Sequence, residues 1–185
     1  MTRTMIVGIG LFVLLGVFIV NMYGKRTRKA VEDTGSDTWI GKPAPEFIGG
    51  GQWLNSSPRK LSDYQGKIVL LEFWTYGCYN CRNTILTLNR WQKKYAGKDF
   101  VIVGIHTPEF EREKDIRNLR QQLVHLEIQY AVVTDNEYQT WEAYHQQYWP
   151  TVYLIDRKGV VRYVKIGEGD YDETERMIQS LIANK

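Results

Sequence analysis

Lys67-Ile68-Val69-Leu70-Leu71-Glu72-Phe73-Trp74, followed after three residues by Cys78-Tyr79-Asn80-Cys81, is the stretch on which the fold turns. An almost continuous apolar run of this length, entered from Gly66, predicts a strand buried on both faces, as in a parallel sheet covered by helices. Downstream, Ile85, Leu88, Trp91 and Tyr95 recur at helical spacing, so Asn80 to Tyr95 reads as a helix ending near Gly97. The two cysteines therefore stand between a buried strand and the start of a helix.

Further strands and helices follow in alternation. Phe100 to Ile105 is a second buried strand, Arg112 to Leu126 a charged amphipathic helix, and Ala131 to Val133 a short third strand. Tyr138 to His145 reads as a helix with Tyr138, Trp141 and Tyr144 near one face. Trp149-Pro150 then leads into Thr151 to Ile155, and Asp156-Arg157-Lys158-Gly159 turns the chain into Val160 to Val164. A last helix is expected from Asp170, with Asp170 and Glu173 forming a capping box and Ile178, Leu181 and Ile182 buried. Upstream, Gly49-Gly50-Gly51 precedes a short strand at Gln52-Trp53-Leu54. Parallel strands closed by an antiparallel hairpin and a covering helix make an α/β, three-layer fold with a mixed central sheet.

Composition bounds the rest. Of 185 residues, 43% are hydrophobic and 24% charged, which excludes a disordered chain. The net charge of +3 is concentrated near the N-terminus. Without residues 1–29 the chain carries 19 basic against 21 acidic side chains, so the globular part offers no basic surface for nucleic acid. Met5 to Tyr23 carries no charge, and its 19 residues span about 28 Å as a helix, close to the roughly 30 Å hydrocarbon core. No small-residue cleavage site follows Val20, so the segment reads as an uncleaved membrane anchor rather than a signal peptide. The expected organisation is a single-span anchor at 1–24, a basic, polar linker at 25–38 and one domain at 39–185. Lys25, Arg26, Arg28 and Lys29 outnumber Arg3 across the span, and charge counting alone puts the domain in the cytoplasm.

The chemistry concentrates at Cys78 and Cys81, the only cysteines. A Cys-x-x-Cys at a helix N-terminus acts as a redox pair, because free backbone N–H groups and the positive end of the helix dipole stabilise a thiolate at the first cysteine. Cys78 is then the attacking thiol, and Cys81, one turn on and more buried, resolves the mixed disulfide. No cofactor is required, since the two sulfurs carry the electrons. Structural zinc needs about four ligands, and His106, His125 and His145 are scattered at unsuitable spacings. Glu72, a carboxylate inside an apolar strand, reads as a buried proton acceptor for Cys81 or a satisfied buried acid. Trp149-Pro150 resembles the cis-proline turn that lies beside such a disulfide and leaves backbone free for an incoming peptide. His106 stands at the carboxyl edge of the second strand, where such sheets place ligands, but has no paired acid. The aromatic set Tyr138, Trp141, Tyr144, Tyr148 and Trp149 reads as core or as the lining of a substrate groove.

Four separated stretches, Phe73 to Thr84, Gly104-Ile105-His106-Thr107-Pro108-Glu109-Phe110, Tyr148 to Asp156 and Gly167-Glu168-Gly169-Asp170-Tyr171, resemble the TlpA-like branch of the thioredoxin superfamily. The resemblance covers residues 39 to 183 and is strongest to the thioredoxin-like domain of DipZ-type proteins. It implies a thioredoxin-like fold, a reversible Cys78–Cys81 disulfide, Glu72 as the proton-relay acid, Trp74 packed beside the site and Pro150 as the cis-proline. Trp149, Trp74, Tyr79, Asn80 and His106 are the expected substrate-side residues. It further implies an extracytoplasmic domain exchanging electrons with protein thiols and supplied by a membrane or thioredoxin-type donor. Gly77 and Tyr79-Asn80 depart from the Trp and Gly-Pro of thioredoxins proper, Leu86 replaces the proline that kinks their active-site helix, and Thr84 stands where some relatives carry an acid. Two other readings compete: a thiol peroxidase, since Thr75 lies three residues before Cys78, and a Cu(I)-handling or docking module using the two sulfurs as soft ligands.

Overall fold

The computed structural model describes residues 39–184. The anchor and linker expected over 1–24 and 25–38 lie outside the described residues, among which no helix is long and apolar enough to cross a membrane. Strands β1 (Trp53–Leu54), β2 (Ile68–Trp74), β3 (Phe100–His106), β4 (Ala131–Thr134), β5 (Thr151–Ile155) and β6 (Val161–Ile166) form one sheet in the order β1-β4-β3-β2-β5-β6. The β2–β3 and β3–β4 pairs are parallel, and the β1–β4, β2–β5 and β5–β6 pairs antiparallel. All seven residues of β2 are buried, as its unbroken apolar run requires.

Helices α1 (Tyr79–Lys94) and α2 (Ile116–His125) both connect parallel neighbours in the same direction across the sheet, so right-handed crossovers put them on one face. There Ile68, Leu70 and Trp74 of β2 pack with Cys81, Ile85, Leu88 and Trp91 of α1 and Leu119 and Leu123 of α2. Ile178 of α4 (Tyr171–Ala183) joins the same layer. The intervening side chains Val69, Leu71 and Phe73 point to the other face, against Tyr144, Tyr153 and Val161 with Trp39, Phe47 and Trp53 around them. Period-two alternation along β2 thus feeds two separate cores.

Three expectations need correction. The helix expected over Arg112 to Leu126 is two pieces: a 3-10 turn at Glu111–Lys114, then α2, divided at Asp115. Asp115 is extended and its Oδ1 accepts from the Arg117 N–H at 2.8 Å, so a capping residue inside the amphipathic run restarts the helix. The helix expected over 138–145 shortens to α3 (Gln139–Ala143), preceded by Tyr138 in the left-handed region at φ 60°. Its N-terminus is served by buried Asp135, which accepts from Thr140 N at 3.0 Å and Trp141 N at 2.8 Å. Asp170 does precede α4, but at φ 49° its side chain makes no capping bond and pairs with Lys165 Nζ at 2.7 Å instead. Leu181 and Ile182 are half-buried, and Ile178 is the side chain of that trio fully enclosed.

Candidate active site

Cys78 is the N-cap of α1, extended at φ −76° and ψ 120°, and its Sγ accepts from the Cys81 backbone N–H at 3.3 Å. A sulfur in that position faces the free N–H groups of the first helical turn. Both cysteines are free thiols, Cys78 half-buried and Cys81 buried. The hydrogen bond from the Cys81 thiol, aided by the Cys81 and Asn80 backbone N–H groups against partial burial, brings the Cys78 thiol down to about 7. Cys81 moves the opposite way: burial, its hydrogen bond to Cys78 and the Glu72 carboxylate all push its thiol far up.

Glu72 sits fully buried in mid-β2, opposite Gly104 of β3 and Val152 of β5. Its Oε2 accepts a long hydrogen bond, 3.4 Å, from the Tyr130 hydroxyl, and its Oε1 has no partner among the described residues. Burial raises its carboxyl well above the ordinary range, with the Tyr130 bond opposing and the Cys78 charge adding to the rise. The arrangement puts a carboxyl of raised proton affinity near a thiol that is hard to ionise, so its carboxylate form is a strong local base for that thiol.

Pro150 follows a cis peptide bond and is buried. The β2–β5 register pairs Phe73 with Thr151, so Pro150 flanks Trp74 at the end of β2 from which the cysteine loop departs. Trp149 is half-buried against the core cluster that holds Trp74 and Cys81, and packs against Trp141 with ring centroids 4.2 Å apart and planes tilted by 32°. Tyr79 is 76% exposed and Asn80 is exposed, so the dipeptide between the cysteines faces solvent.

Trp74 and His106 do not reach that surface. Both side chains are fully buried, because the β2–β3 register aligns them on the face covered by α1 and α2. Both rings thus lie beneath the exposed face that carries Tyr79 and Asn80. His106 packs edge-on against Trp74 at 5.1 Å and is covered by Tyr76, stacked at 5.6 Å. Burial lowers its imidazole to about 3, so it is neutral at physiological pH. The aromatic set divides similarly: Tyr144 is wholly core, while Tyr148 is exposed and Trp141 and Trp149 are half-buried.

Two contributors had no signal of their own in the sequence. Glu113 lies in a charged stretch that reads as a solvated face, yet it is buried; its Oε2 accepts from Thr75 Oγ1 at 2.6 Å, Glu109 N at 2.7 Å and Phe110 N at 3.2 Å. Its Oε1 stands 2.0 Å from where a Cβ on residue 77 would be, so a side chain immediately before Cys78 would have to displace the hydrogen-bonded Glu113 carboxyl. Tyr130, preceding β4, is the second, since nothing near it in sequence points to Glu72. Among the described residues no cluster of metal-ligating side chains occurs.

Comparison with known proteins agrees with this architecture. Residues 40–164 match the model of the AhpC/TSA family. The chain is 40% identical over 142 residues to the protein DipZ of Mycobacterium tuberculosis, covering 75% of this chain and 20% of DipZ. It thus spans about a fifth of the length of that relative. The thioredoxin-like protein YneN of Bacillus subtilis is 28% identical over 178 residues, covering 96% of this chain and 98% of YneN. Among solved structures, a Chlorobium tepidum protein assigned as thiol:disulfide interchange protein DsbE superposes with a TM-score of 0.69 at 29% identity, covering 77% of this chain and 97% of that one. With a family match across most of the sheet and a thioredoxin-like arrangement of strands, helices and paired cysteines, the chain belongs to the AhpC/TSA family as a thioredoxin-like member.

Proposed function

We propose that this protein is a membrane-anchored thiol-disulfide oxidoreductase that reduces disulfides in other proteins, on the extracytoplasmic side, through a reversible Cys78–Cys81 disulfide. The observation that carries the reading is the opposite displacement of two thiols one helical turn apart, Cys78 down to about 7 and Cys81 upward, beside a buried acid. Cys78 thiolate attacks a substrate disulfide, forming a mixed disulfide and expelling one substrate thiolate. Cys81 gives its proton to Glu72 and attacks Cys78 Sγ, closing the intramolecular disulfide and releasing the second substrate thiolate, which takes a proton from water. The substrate gains two electrons that the two cysteines lose, and a membrane or thioredoxin-type donor returns them.

The reducing direction is supported by the Cys78 value, since a nucleophile near 7 is typical of thioredoxin, whereas strong oxidants bring theirs to about 3.5. Tyr79, Asn80, Trp149 and Pro150 form the proposed docking face for the substrate backbone. The apolar segment Met5 to Tyr23 supports the anchor. The TlpA-like resemblance favours the outer face over the charge count, which rests on a small difference. A peroxidase would require the Thr75 hydroxyl near Cys78 to serve peroxide, but Thr75 is buried and donates to Glu113.

The test is substrate capture. Cys81→Ser in intact cells is expected to accumulate mixed disulfides through Cys78, released by reductant and absent in Cys78→Ser. Labelling of Cys78 by a membrane-impermeant alkylating reagent reports the side of the membrane. Absence of any mixed disulfide, together with no reduction of insulin by the purified protein, overturns the reading.

A further inference from the structure

The proton acceptor Glu72 is held from two strands away. Tyr130 stands at the entry to β4, where Asn55 Nδ2 fixes the local backbone by donating to Ile128 O at 2.9 Å and Tyr130 O at 3.1 Å. From there the ring passes over β3 at Gly104, the residue paired directly with Glu72. A Cβ on Gly104 would stand 3.4 Å from Tyr130 Cε2 and 2.7 Å from Trp74 Nε1, so the missing side chain opens the passage by which the phenol reaches Glu72 Oε2. Tyr130 is 2% exposed and shares the buried layer with Cys81. Among the described residues its hydroxyl donates to Glu72 Oε2 while Oε1 has no partner.

We propose that Tyr130 is the positioning residue of the resolving step: its hydroxyl holds Glu72 Oε2, leaving Oε1 free to accept the Cys81 proton. The inference rests on the redox reading above. When the Cys81 S–H bond breaks, its proton passes to Glu72 and its sulfur forms the bond to Cys78 Sγ, while the bond from Cys78 to the substrate sulfur breaks. A hydrogen bond to the charged form favours that form, and the Tyr130 bond acts on Glu72 in this sense, against burial. The groups electrostatically coupled to this acid–phenol pair are Cys78 and Cys81 of α1. Removing the hydroxyl leaves fewer Glu72 carboxylates ready to accept a proton at a given pH.

Single-turnover reaction of the reduced full-length protein with a disulfide-linked peptide pair separates the steps, the first thiol reporting attack and the second reporting resolution. Tyr130→Phe keeps the ring and is expected to slow release of the second thiol about three- to tenfold at neutral pH. It also moves the pH profile of that release upward and leaves the first release unchanged. In a Glu72→Gln background the same substitution is expected to add nothing. An unmoved profile in Tyr130→Phe, or equal slowing with and without Glu72, overturns the assignment. Failure of the wild-type protein to release either thiol overturns the redox reading itself.

Discussion

Replacing Glu72 by leucine sets stability against activity in one substitution. The carboxyl is fully buried, and among the described residues one oxygen has no partner and the other accepts one bond of 3.4 Å. Replacing buried ionic groups by packed apolar ones stabilises by about 1–4 kcal/mol, and the orphaned Tyr130 hydroxyl offsets about 1 kcal/mol of this. A net gain of up to about 3 kcal/mol is expected where Glu72 is ionised, or roughly 2–4 °C in Tm per kcal/mol for a domain of this size. The sign follows from linkage. The folded-state carboxyl is raised above its unfolded value, so the folded protein binds the extra proton and the wild type loses stability as pH rises from the ordinary carboxylate range through the folded value. Below that range the variant's advantage is smallest. Urea unfolding at a series of pH values measures it, and the same protein is expected to resolve mixed disulfides about a hundredfold more slowly. A variant no more stable than wild type in alkali, or an advantage independent of pH, refutes the reasoning.

Gly77→Ala drives a Cβ to 2.0 Å from Glu113 Oε1, and a loss of about 1–3 kcal/mol is expected in urea unfolding, largely removed when Glu113 is alanine as well. Thr75→Val takes one donor from the buried Glu113 carboxylate at near-constant volume, with an expected cost of about 1–3 kcal/mol by the same measurement. Alkylation by iodoacetamide is expected to modify Cys78 with a midpoint near pH 7 and to leave Cys81 unmodified up to much higher pH; mass spectrometry of the labelled peptide distinguishes them.

Where the sequence is legible, a local pattern and the tertiary packing demand the same thing. The run Ile68 to Trp74 is apolar because both faces of β2 are covered, and α1 shows its period because its inner side chains meet that sheet. Cys78 can be placed as a cap from its position alone. The misreadings arise where a side chain finds a distant partner: Asp170 looks like a cap but turns to Lys165, and Asp115 interrupts a helical period that continues on either side. Glu113 and Tyr130 are the extreme case, meeting Thr75 and Glu72 across 38 and 58 residues of chain. Strand register, which no local pattern reveals, turns Trp74 and His106 inward.

Whether Cys78 and Cys81 form a reducing dithiol is read from the equilibrium reduction potential of the pair, titrated against defined thiol buffers. An intramolecular disulfide with a potential below about −230 mV is expected. A potential near −120 mV, or no disulfide between these cysteines at any buffer ratio, would contradict it.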